Sequence, residues 1–171
     1  KYNTFNNGTY HEQVPENSKL RMRGVRFSVQ NQTYLQAKST ETKPYDLQLI
    51  AVQINYDISK HFYVTGQAAF TYEGEAGGYA DGMVGMGYYA PKIVNNKIEC
   101  TLEFLAGAAG GAHIDTGAGL AIKPKVGINY CINDTFYLIS SFGKIIEPYG
   151  NLNSTNLNFG FSYNFSKLQI N

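Results

Sequence analysis

Glu99 and Glu103 lie four residues apart, and Lys123 and Lys125 two apart, in stretches that alternate apolar and polar residues. In such stretches residues two or four apart fall on one face. Two carboxylates and two ammonium groups are therefore offered to a common space. Folding the intervening chain symmetrically about Ile114 sets Glu103 opposite Lys125. Arg26 is a further cation able to reach the group. Two chemistries follow: a buried ion-pair network, in which each charge needs its partner, or a gated polar pathway. The ion-pair reading is preferred. A second candidate is His113 with Asp115, Thr116 and Glu147. A histidine beside a hydroxyl and an acid could form a hydrolytic set, but no serine stands beside His113. Gly82-Met-Val-Gly85-Met-Gly87 has the glycine content of a phosphate cradle without a following helix; Gly85 and Gly87 are expected to make room in a narrow interior. His11 and His61 are isolated, so no metal cluster is expected. Neither a catalytic residue nor a cofactor is assigned.

Strands position these residues. Period-two alternation recurs over about 19–36, 45–57, 61–73, 80–90, 97–109, 118–131, 135–146 and 155–167, giving eight segments. Three connections are short and rich in Asn and Asp: Asp57-Ile58-Ser59-Lys60, the region of Val94-Asn95-Asn96-Lys97, and Ile132-Asn133-Asp134. The connections around 37–44, 74–79, 110–117 and 147–154 are longer or glycine-rich. Cys100 is expected to face outward and Cys131 inward, which leaves them unpaired without a bulge.

Composition narrows the class. Only 16% of the 171 residues are charged, against 14 Tyr, 10 Phe and 18 Gly; net charge is +1. Soluble domains carry about 25% charge. No run of about 20 apolar residues can form a membrane helix, and no basic patch points to nucleic acid. The chain begins at Lys1 without an apolar leader-like segment and reads as a processed form or a fragment.

The faces decide between a soluble and a membrane barrel. In the last strand Leu157, Phe159, Phe161, Tyr163 and Phe165 oppose Asn156, Asn158, Gly160, Ser162 and Asn164. The sixth sets Leu120, Ile122, Val126, Ile128 and Tyr130 against Ala121, Lys123, Lys125, Gly127 and Asn129. A water-facing surface would carry more Lys and Glu, whereas small polar residues fit the interior of an eight-stranded barrel. Aromatics cluster by height. Tyr56, Phe62, Tyr88, Tyr89, Tyr130, Phe136, Tyr137, Tyr163 and Phe165 fall near the short turns; Tyr45, Tyr72, Tyr79 and Tyr149 fall near the longer loops. Two interfacial belts are thus expected, with Phe62, Tyr88, Tyr130, Phe159, Phe161, Tyr163 and Phe165 facing lipid. The expected fold is an all-β, eight-stranded antiparallel up-and-down transmembrane β-barrel over 19–167. A polar arm, 1–18, precedes it, and a tail, 168–171, follows.

The closing strand, Asn158-Phe159-Gly160-Phe161-Ser162-Tyr163-Asn164-Phe165, resembles the terminal signal read by barrel-assembly machinery, although six residues follow Phe165. The chain over 19–167 resembles the small outer-membrane barrels of the OmpA/OmpX class. The resemblance implies a Gram-negative outer membrane, with both termini periplasmic and contact with outer-membrane lipids including lipopolysaccharide. It leaves two roles open. One is a non-catalytic structural or interaction role, with other outer-membrane or periplasmic proteins as partners, as in an accessory subunit of a larger complex. The other is a lipid A-modifying, deacylase-like enzyme centred on His113. A pore is disfavoured by the diameter of eight strands.

Overall fold

The computed structural model describes residues 20–37, 44–74, 78–111, 114 and 116–170, with the side chains of 20–23 and 166–170 excepted. The arm 1–18, including His11, lies outside the described residues, as do His113 and Asp115. Eight strands follow in order: β1 (Leu20–Ala37), β2 (Tyr45–Asp57), β3 (Phe62–Glu73), β4 (Ala80–Tyr89), β5 (Ile98–Gly110), β6 (Leu120–Cys131), β7 (Phe136–Ile146) and β8 (Asn153–Ile170). Each pairs antiparallel with its sequence neighbours, and β8 pairs back on β1, so the barrel is closed.

Closure leaves no free sheet edge across the barrel wall, which is what a bilayer demands of strands. The register also fixes the shape. From Asp57 the pairing runs Tyr63, Gly87, Glu103, Lys125, Gly143, Asn156 and Tyr34, and returns to β2 at Leu47, ten residues from its start. A stagger of that size tilts the strands by roughly 35–45° and leaves an interior that side chains can fill.

The outer wall is apolar. Val84 is 70% exposed, Phe161 60%, Leu102 58% and Phe104 57%. Phe62, Tyr130, Phe159 and Phe165 are exposed there as well, and Tyr88 and Tyr163 are half-buried beside them. At the short-turn end Phe62 packs on Tyr88, and Tyr163 on Phe136 and Phe165, with ring centroids 4.4–5.2 Å apart. This exterior matches the lipid-facing band of a transmembrane barrel.

Three features depart from the sequence reading. Tyr79, Tyr89 and Tyr137 sit at the expected heights but point into the barrel and are buried, so they belong to no interfacial belt. Strand β8 continues to Ile170, past the expected end at 167, because its last residues pair with Leu20–Gly24 of β1. The connection between β4 and β5 is no tight turn: it occupies 90–97, longer than 58–61 or 132–135. An Ile93–Ile98 bridge folds it back on itself, and Val94, Asn95 and Asn96 all have positive φ.

Candidate functional site

The interior is divided along its axis. Toward the longer loops it is mixed: Leu47, Leu49, Leu105 and Ile145 are fully buried, with Ala51, Ala69, Met83, Ala109, Ala121, Ile114 and Leu152 around them and Tyr34, Tyr79, Glu147, Ser154 and Asn156 buried among them. The expectation of small polar filling holds only in part in this half: Ser154 and Asn156 are buried, but aliphatic side chains fill much of the space. In β2 the run Leu47-Gln48-Leu49-Ile50-Ala51-Val52 carries apolar residues on both faces. The pairing with β3 also shifts between Gln48 and Leu49, which blurs the alternation.

Toward the short turns the interior is polar and charged. Glu99, Glu103, Lys125 and Arg26 are buried here, and Lys123 and Asp81 are buried nearer the longer loops. The geometry sorts them into three ion pairs. Arg26 grips Glu99 with both guanidinium nitrogens, Nη1 to Oε1 at 2.6 Å and Nη2 to Oε2 at 3.2 Å, the bidentate form suited to a carboxylate. Asn129 donates to the same Oε1 at 3.0 Å. The guanidinium lies between two rings, 4.1 Å from the Tyr89 centroid and 4.5 Å from that of Tyr137. Tyr63 stacks on Tyr89 at 4.1 Å.

Above this pair, Lys125 Nζ lies 2.7 Å from Glu103 Oε2. Tyr63 Oη donates to Glu103 Oε1 at 2.5 Å and Gln53 Nε2 donates to it at 3.0 Å. Gln53 Oε1 accepts from Lys125, Gln30 and Gln67. The strand register places Glu103 directly opposite Lys125. Space for Tyr63 comes from Gly87, where a Cβ would collide with the Tyr63 ring.

The third pair lies toward the longer loops, where Asp81 is the second residue of β4 and Lys123 the fourth of β6. Lys123 Nζ sits 3.2 Å from both oxygens of Asp81, 2.9 Å from Gln67 Oε1 and 3.3 Å from Gln32 Oε1. Tyr34 Oη donates to Asp81 at 2.5 Å. Lys123 thus pairs with Asp81 rather than with a glutamate. Sequence reasoning missed Asp81 because Ala80-Asp81-Gly82, next to a loop, reads as turn chemistry; its alternation with Met83 was the available signal.

Between the lower pairs is a cavity of about 30 Å³, lined by Arg26, Gln53, Tyr63, Glu103, Lys125 and Ser141 among others. It holds no more than about two water-sized bodies. Of the hydrolytic candidates, Glu147 is buried and accepts from Tyr79 Oη at 3.2 Å, and Thr116 is half-buried in the loop after β5. His113 and Asp115 lie outside the described residues. No group of three metal-ligating side chains occurs among the described residues. Cys100 is exposed on the outer wall, and Cys131 is half-buried; neither forms a disulfide.

No family model and no curated protein sequence matches the chain. Solved structures do. Neisserial surface protein A aligns with a TM-score of 0.57 and 11% identity, over 84% of this chain and 97% of its own. The N-terminal β-barrel domain of Pseudomonas aeruginosa OprF aligns at 0.55 and 12%, over 83% and 97%. Ail, the attachment invasion locus protein of Yersinia pestis, aligns at 0.53 and 12%, over 84% and 98%. Identities this low speak for the fold alone, and the fold agrees with the closed register and the apolar exterior: the chain has the architecture of the small eight-stranded outer-membrane β-barrels of the OmpA/OmpX class.

Proposed function

We propose that this protein is an integral outer-membrane barrel with a non-catalytic structural or interaction role, acting as an accessory subunit of a larger outer-membrane complex. Both termini and the short turns would face the periplasm. One observation carries the reading: the interior is filled along most of its length by three ion pairs and by the buried side chains of Leu47, Leu49, Leu105 and Ile145. A filled barrel keeps only its outer wall and its two ends for contact with other molecules. Lipids, including lipopolysaccharide, would cover the wall, and protein partners would meet the ends or an exposed strip of the wall.

The test is crosslinking in intact cells, followed by purification in mild detergent and identification of the chains retained. A reproducible outer-membrane or periplasmic partner supports the reading. A barrel that is always recovered alone refutes it. Release of fatty acid from outer-membrane lipids, abolished by His113→Ala, would replace it with a lipid-modifying enzyme.

A further inference from the structure

At the short-turn end the barrel opens into a cleft of about 430 Å³ lined by Lys60, His61, Tyr89, Ala90, Pro91, Lys92, Asn96 and Glu99. Three basic side chains, Lys60, His61 and Lys92, share this space with one acid. That acid, Glu99, is committed below: Arg26 holds both its oxygens and Asn129 a further lone pair. It therefore offers little repulsion to an incoming anion. Asp57 and Asp134, which also stand at this end, do not line the cleft. Lys92 Nζ donates to Tyr137 Oη at 3.2 Å and lies 5.3 Å from the Tyr137 ring centre. Partial burial works against its charge, but the hydrogen bond and the nearby phenol outweigh it. The Lys92 pKa is raised, so it remains an ammonium at any physiological pH.

The walls are built in advance of any ligand. Tyr89 N donates to His61 O at 2.7 Å, and His61 Nδ1 meets Tyr89 O at 3.0 Å. A carbonyl only accepts, so Nδ1 carries the proton and Nε2 remains available. Ala90 N donates to Cys100 O at 2.9 Å, and Ile93 and Ile98 exchange bonds at 2.8 and 3.1 Å. The far wall includes Asn96, the last of three successive left-handed residues that begin with Val94 at φ 50°. A β-branched residue rarely tolerates that conformation.

We infer that this cleft is a docking site for an acidic, extended peptide segment of a periplasmic partner protein, whose carboxylates would sit between Lys60 and Lys92. The cations and Asn96 suit a chain that alternates carboxylates with backbone amides, while Ala90 and Pro91 supply apolar floor for its stems. Capture of peptide carboxylates in preformed polar sites is an established recognition mode. The inference rests on the accessory-subunit reading and on the short turns facing the periplasm.

The test uses the full chain in lipid nanodiscs and three probes: a Glu-rich hexapeptide with a free carboxylate end, its Gln counterpart with an amidated end, and inorganic phosphate. Binding is followed by amide chemical shifts of Lys92 and Asn96. The Glu peptide should perturb both amides, and the Gln peptide should bind at least about tenfold more weakly. Lys60→Gln with Lys92→Gln should weaken the Glu peptide by about tenfold, roughly threefold for each exposed ion pair lost. Equal binding of the two peptides, or no loss in the double variant, overturns the inference. Phosphate displacing the Glu peptide at equal concentration also overturns it, in favour of a small-anion site. If the Glu peptide fails to bind while the double variant shifts the amides of Glu12 and Glu16, the chain's own N-terminal segment is the occupant and the partner assignment falls. Absence of peptide binding with partner crosslinks retained rejects the cleft alone; peptide binding with no partner in cells supports the cleft and rejects the accessory reading.

Discussion

Removing the Lys125 ammonium would leave Glu103 buried beside only neutral donors. Glu103 would keep Tyr63 Oη at 2.5 Å and Gln53 Nε2 at 3.0 Å, but no positive charge within contact. Breaking a buried ion pair from one side costs about 3–5 kcal/mol, and the two surviving donors place Lys125→Gln at the lower end, about 3 kcal/mol. Glu103→Gln should cost about the same, since Lys125 would then hold only Gln53 Oε1, at 2.9 Å. The double variant removes both charges together and leaves amides that can bond to Gln53 and Tyr63. Its expected cost is about 3 kcal/mol rather than the additive 6, a coupling of about 3 kcal/mol, at the top of the range for residues in direct contact. The assay is reversible urea unfolding in lipid vesicles, followed by far-UV circular dichroism, because the chain has no Trp to report by fluorescence. Additivity within about 0.5 kcal/mol would refute the coupling and, with it, the view that the lumen charges act as pairs.

Three further outcomes follow from the same geometry. Phe161→Arg places a charge on the lipid-facing wall at a cost of about 2–4 kcal/mol and should lower folding yield in vesicles more than Asn158→Asp in the lumen; the reverse order would invert the assignment of faces. Gly87→Val should prevent Tyr63 from packing and destabilise the barrel by at least about 2 kcal/mol, with Gly87→Val/Tyr63→Ala recovering part of the loss in the same urea assay. Planar-bilayer recordings of the wild-type protein should show no steady conductance, because Tyr34, Leu47, Leu49, Leu105 and Ile145 are fully buried across the loop half of the lumen.

Much of the barrel was legible because one face of most strands is nearly pure in type. Leu157-x-Phe159-x-Phe161-x-Tyr163-x-Phe165 declares its orientation without help, and the symmetric hairpin about Ile114 sets Glu103 against Lys125 as the register does. Legibility fails where alternation carries no contrast. In β2 both faces are apolar, so nothing in Leu49-Ile50-Ala51-Val52 marks Leu49 as inward. Height along a strand also says nothing of direction: Tyr88 and Tyr89 occupy the same level, yet one faces out and the other stacks under Arg26. Asp81 was hidden for a different reason, since its partner Lys123 is two strands away and no local pattern links them.

The pairing of β8 with β1 runs from Leu20–Ile170 to Leu35–Thr155, joining the first described strand to the last. Every other hairpin can form as soon as its two strands exist, but this seam waits for the whole chain. Until then both β1 and β8 present unpaired edges, which invite pairing with a wrong neighbour. Closing so long a loop also carries the largest entropic penalty of any pairing in the molecule, and topologies dominated by such distant contacts fold slowly. Substitutions at the seam, such as a proline at Gln30 opposite Gly160, should therefore slow the final step of insertion more than equivalent changes within β3–β6, leaving a membrane-bound but protease-sensitive open sheet.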